Sequence, residues 1–277
     1  VSALLRDFCW LTGPAVLALA ALLLGGRSGA ASEQGGPSSL PGLSGLAWVE
    51  DDRFVAVHDA KGEGDQIVRN RVSLLRLPRS NRDGIVRTPL AVRFPGGVAR
   101  DLEAASPIPG GGLLLAESGQ KGGSQRLFFA RLVDSDLVID AEVPWPVSVD
   151  NVEAVEVGRV GDQLVLLAAE RGRGQERTTL HWATLSLDPP RFGTFQTIDW
   201  PAIDPLGPRA RAISALTLDA AGRIYVASTL DPGEHGPFRR VVWRIGVLTA
   251  GPDGRPRVRL GAAERIATLD GCKVESL

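Results

Sequence analysis

One short extended motif recurs along this chain. It appears at Ser44-Gly45-Leu46-Ala47-Trp48, Leu102-Glu103-Ala104-Ala105, Val152-Glu153-Ala154-Val155, Ile213-Ser214-Ala215-Leu216 and Val274-Glu275-Ser276-Leu277. With Gly45, Glu103, Glu153, Ser214 and Glu275 taken as equivalent, the spacings are 58, 50, 61 and 61 residues. A regular period of this size restricts the chain to a solenoid, a propeller or an array.

Each period contains strand and turn signals. The first reads as Leu43–Val49, Arg53–His58, Arg71–Leu77 and Ile85–Val92, and the second as Glu103–Pro107, Leu113–Glu117, Arg126–Leu132 and Leu137–Val143. The third gives Val152–Val157, Gln163–Glu170, Thr179–Leu185 and Phe195–Trp200, and the fourth Ile213–Leu218, Arg223–Ser228, Arg240–Ile245 and Arg255–Leu260. Four antiparallel strands per unit is the blade of a β-propeller. The expected fold is therefore all-β: four complete four-stranded blades plus the first strand of a fifth, with a longer relative carrying at least five. Alanine and glycine in the recurring motif suit innermost strands, which crowd around the axis. Trp48, Trp182, Trp200 and Trp243 are expected to pack between adjacent sheets.

Residues 1–30 read as an export signal. Arg6 precedes an uncharged apolar run from Leu11 to Leu24, and small residues at Ser28 to Ala31 fit a cleavage site. The run is shorter than the roughly 20 residues that span a bilayer, so stable membrane insertion is not expected once the signal is cleaved. Residues 31–42 form a flexible lead-in, and 43–277 the propeller. The expected location is secreted or periplasmic in a bacterium. Cys9 lies in the signal, which leaves Cys272 without an internal disulfide partner. A net charge of −1 gives no basic excess to attract nucleic acid.

Carboxylates recur where the innermost strands open and where the antiparallel second strands return. Asp59, Asp101, Glu103, Glu117, Asp150, Glu153, Glu170 and Glu275 are thereby expected at one acidic mouth, with Lys61, Arg171 and Lys273 among them. Such oxygen donors suit a hard cation such as Ca²⁺. They equally suit capping of strand ends by paired charges. His58 beside Asp59 is a candidate base or ligand. His181 reads as structural, and His235 lies on a loop.

The stretches Leu43-Ser44-Gly45-Leu46-Ala47-Trp48, Phe54-Val55-Ala56-Val57-His58-Asp59-Ala60-Lys61, Asp101-Leu102-Glu103-Ala104, Asn151-Val152-Glu153-Ala154 and Asp270-Gly271-Cys272-Lys273-Val274-Glu275 resemble the phytase-like propeller family, also described as having esterase-like activity of phytase. The resemblance implies an exported bacterial protein that hydrolyses a phosphoester or ester, with acidic positions at Asp101, Glu103, Glu153 and Glu275. The chain departs from it at Gly45 and Ser214, which carry no carboxylate. The functional expectation is calcium-assisted hydrolysis of a small-molecule phosphate or related ester. Asp59, Asp101, Glu153 and Glu275 hold the ion, Glu103, His58 and Lys273 are catalytic, and Lys61 and Arg171 bind substrate. The alternative is a propeller that binds a ligand or protein partner without chemistry.

Overall fold

The computed structural model describes residues 43–59, 71–78, 84–99, 101–118, 125–172, 177–201, 210–230, 238–270 and 276–277. Residues 1–42, and with them the export signal and lead-in, lie outside the described residues. So do Lys61, His235, Cys272, Lys273 and Glu275.

The chain is a β-propeller built from four sheets that follow one another in sequence order. Blade one comprises β1 (Leu43–Glu50), β2 (Arg53–His58), β3 (Val72–Arg76) and β4 (Val86–Pro89) in that order. Blade two takes β5 (Ala91–Val92), β6 (Leu102–Pro107), β7 (Leu113–Glu117), β8 (Arg126–Val133) and β9 (Asp136–Pro144). Blade three contains β10 (Val152–Val160), β11 (Gln163–Glu170), β12 (Thr178–Leu187), β13 (Pro190–Phe192) and β14 (Gln196–Trp200). Blade four contains β15 (Arg211–Leu218), β16 (Arg223–Leu230), β17 (Arg239–Ala250) and β18 (Pro256–Asp270). Among the described residues no helix is long and apolar enough to cross a membrane.

Two outer strands differ from the expected pattern. The segment read as Ile85–Val92 divides at Leu90, which is 1% exposed and donates its N–H to Val72 at 3.0 Å. Leu90 is drawn into the core between blades one and two, so the chain leaves β3 there. Its continuation, β5, joins the outer edge of blade two, parallel to β9. The fourth strand of blade three is likewise shared, with β13 and β14 pairing successive halves of β12.

In blades two and three, alternation along each strand sends its two rows of side chains into two different inter-blade cores. Val55, Val57 and Val72 meet Leu102, Leu115 and Phe128 between blades one and two. Leu114 and Leu127 meet Val155 and Leu166 between blades two and three. Leu167 and Leu180 meet Ile213 and Val226 between blades three and four. Burial of one such side chain is worth roughly 1.5–3 kcal/mol, so these sheet-to-sheet layers dominate the stability. Trp182, Trp200 and Trp243 lie in the last of these cores, as expected from the sequence. Trp48 does not lie between described blades. It is half-buried on the other face of blade one, against Leu46 and Phe54. Ser276 donates to the Leu46 carbonyl at 3.4 Å, while Leu277 packs on Ala215 and Ala227, so the last two residues touch both blade one and blade four.

The small residues of the repeat serve close approach of the inner strands. A Cβ on Gly45 would stand 2.9 Å from Ala104 Cα and from Ala105 N. Backbone hydrogen bonds also cross from blade to blade. Val152 donates to the Ser118 carbonyl at 2.6 Å, and Ile213 donates to the Arg171 carbonyl at 3.2 Å.

Candidate functional site

Every inner strand opens with a register slip. Leu43 faces His58, Leu102 faces Glu117 and Val152 faces Glu170, and the ladder resumes at Gly45, Ala104 and Ala154. Blade four slips more widely, between Arg211 and Ala215. A bulge of this kind leaves one residue out of the pairing and re-aims its side chain. The residues in that place are Ser44, Glu103, Glu153 and Ser214. The structure therefore corrects the sequence alignment in blade one: Ser44, not Gly45, corresponds to Glu103 and Glu153.

At the junction of blades one and two the arrangement gathers carboxylates. One oxygen each from Asp59, Asp101 and Glu103 lies within 4.8 Å of the others, all three half-buried. Asp59 follows the last residue of β2 and donates its N–H to Ser44 Oγ at 2.6 Å. Asp101 has left-handed backbone, φ 60°, and accepts a hydrogen bond from Ser118 Oγ. Asp and Asn adopt this conformation at less cost than other side-chain-bearing residues. Glu103 is the bulge residue of β6. An all-oxygen, three-carboxylate set is the donor chemistry of a hard divalent cation, whose further ligands would come from water or substrate.

Glu117, Glu153 and Glu170 each meet a basic side chain. Glu117 is fully buried and is gripped by Arg126 through two bonds, at 2.8 and 3.0 Å. Glu142 adds a third contact to Arg126 at 3.2 Å. Glu153, 4% exposed, lies between Arg171 at 3.5 Å and Arg211 at 3.2 Å. Glu170 accepts from His181 at 3.0 Å and from the Asp150 N–H at 3.1 Å. The structure thus places Asp59, Asp101 and Glu103 together, and holds Glu153 and Arg171 as an ion pair at the mouth of blade three.

His58 is fully buried. Arg87 donates to its Nδ1 at 3.3 Å, which puts the ring proton on Nε2, bonded to Ser73 Oγ at 2.7 Å. Both ring nitrogens are thereby engaged away from the carboxylate cluster. Sequence reasoning missed Arg71. Its carbonyl accepts from the His58 N–H at 3.0 Å, which places it opposite His58, the chain neighbour of Asp59, one residue before β3. Antiparallel geometry offered that signal, since a third strand begins at the mouth where the second ends. Burial lowers the Arg71 pKa from its ordinary value, against the raising influence of Asp59, Asp101 and Glu117.

No family model matches the chain, and no curated protein matches it. Among solved structures it is similar to a protein from Lactobacillus plantarum determined by a structural genomics consortium. The identity is 12% over 84% of this chain and 73% of that one, with a TM-score of 0.36. A likeness so distant bears on neither fold nor function, and the propeller assignment rests on the sheets themselves.

Proposed function

We propose that the mouth between blades one and two is a calcium site, and that this exported propeller uses it to hydrolyse a phosphate ester or related ester. The observation that supports this reading is the gathering of Asp59, Asp101 and Glu103 at one junction. The equivalent places at the next junction hold Ser118, Asn151 and an arginine-paired Glu153. Asp59 and Asp101 hold the ion. Glu103, the bulge residue, takes a proton from the attacking water as general base. Bound there, the cation supplies Lewis-acid polarisation of the phosphoryl oxygen. Two carboxylate ligands with a third carboxylate beside them suit the weak end of the calcium range, about 10⁻⁴–10⁻³ M, typical of extracellular modules. Lys61 and Lys273 remain proposed charge partners for substrate. Glu275 remains a proposed further ligand, in line with the resemblance to phytase-like propellers.

A second reading, a propeller that binds a ligand or protein without chemistry, is favoured by the engagement of both His58 nitrogens and the neutralisation of Glu117 and Glu153. Calcium titration followed by a panel of phosphate and carboxylate esters separates the two. Calcium-dependent turnover supports hydrolysis, calcium binding without turnover supports the second reading, and absence of calcium binding removes the first.

A further inference from the structure

Arg71 is a buried cation with unused donors. It is 5% exposed, and its Nε and Nη1 meet no hydrogen-bond acceptor among the described residues. Leaving guanidinium donors buried and unsatisfied is costly, more so because the group is charged. Arg126, at the same mouth, shows what satisfaction looks like: it holds Glu117 through two bonds. Asp59, Asp101 and Glu117 are near enough to Arg71 for their charges to oppose the effect of burial on it.

We propose that Arg71 is the anion-binding arm of the blade one–blade two mouth, and that it receives the phosphoryl oxygens of a ligand held against the cation at Asp59, Asp101 and Glu103. The proposal rests on the cation reading above. Charge supports it. A divalent cation offsets the negative charge of the three carboxylates. A phosphate group then meets a cation and a guanidinium beside them. The planar fork of arginine matches phosphate oxygens in pairs, as the ammonium of lysine does not. The ligand class is therefore a phosphomonoester or another compact phosphoryl anion.

The test is titration of the full chain with calcium chloride, then with phenylphosphonate, a non-hydrolysable phosphoryl probe, at saturating calcium. The wild type is expected to bind phenylphosphonate only with calcium. R71M is expected to weaken the phosphonate at least ten-fold while calcium binding stays equal or tightens. R71K, with charge but no fork, is expected to recover only part, and it provides the readout if R71M does not fold. Phosphonate binding unchanged in R71M or R71K overturns the proposal. So does a wild type that binds no phosphonate while R71M binds calcium more tightly, because Arg71 is then a built-in counter-ion. A wild type that binds neither probe overturns both this and the cation reading. Arg71-dependent phosphonate binding without ester turnover removes only the hydrolysis reading.

Discussion

Asp101 and Asn151 hold the same place in successive blades: each stands one residue before an inner strand with left-handed backbone, φ 60° and 56°. Each also accepts, through its carbonyl, the N–H that follows the second strand, Ser118 at 3.0 Å and Arg171 at 2.9 Å. The backbone requirement is common to both, and only the charge differs. Asp101→Asn should therefore leave the fold alone and weaken calcium at least ten-fold, read by calorimetry beside a thermal melt. Asp101→Ala should add a conformational penalty of about 1–2 kcal/mol. Equal calcium affinity in the Asn variant would show that Asp101 is not a ligand.

Glu153 separates structural from functional acidity at the mouth. Its carboxylate is buried between Arg171 and Arg211, which are themselves partly exposed. Glu153→Gln strands two cations and should destabilise by about 2–3 kcal/mol, below the full figure for a wholly buried pair. Calcium affinity should not change. A fall in calcium affinity without loss of stability would return Glu153 to the ligand set.

Glu156 gives the protein a pH dependence. Burial pushes its carboxyl up from 4.5 to about 8, against the lowering influence of its hydrogen bond with Ser106. Below the unfolded value both states carry the proton. As pH rises from about 4.5 to 8 the unfolded chain ionises first, so stability declines, and above 8 the loss is complete. Glu156→Gln should flatten this slope. Its advantage over wild type should grow from pH 5 to pH 8.5 in denaturant titrations, by an amount on the order of a few kcal/mol at most. Parallel curves for the two proteins would place the Glu156 titration near its ordinary value.

Gly45 couples fold to site. A methyl there meets the backbone of Ala104 and Ala105 at 2.9 Å, and these residues directly follow Glu103. Gly45→Ala should destabilise by about 1–3 kcal/mol, the usual range for overpacking. It should also weaken calcium, because β1 and β6 carry the walls of the site. Unchanged melting would show that the inner strands can move apart.

The blade boundaries were legible because each apolar strand run is bracketed by turn residues, and β2, β7 and β11 begin and end where the sequence places them. The break at Leu90 was not legible, since what decides it is burial against another sheet. The counter-ions were hidden for the same reason: Arg211 reaches Glu153 across 58 residues of sequence, which no local pattern encodes. Asp59, Asp101 and Glu103 could be named as acidic residues of one mouth. That they meet, while Glu153 is claimed by arginines, depends on which side chain each neighbouring blade presents. The one-residue slip at Gly45 arose because Ser44 carries no carboxylate to mark the bulge.

The bulge at the head of each inner strand has a consequence for how such a molecule can change over generations. The pairing resumes at Gly45, Ala104, Ala154 and Ala215 beyond a serine in two blades and a glutamate in the other two. Gene duplication therefore hands every blade the same unpaired seat at the axis, and the sheet does not dictate its occupant. Each seat is free to drift alone, and one copy can acquire a new ligand while its sisters settle into ion pairs or hydroxyl contacts.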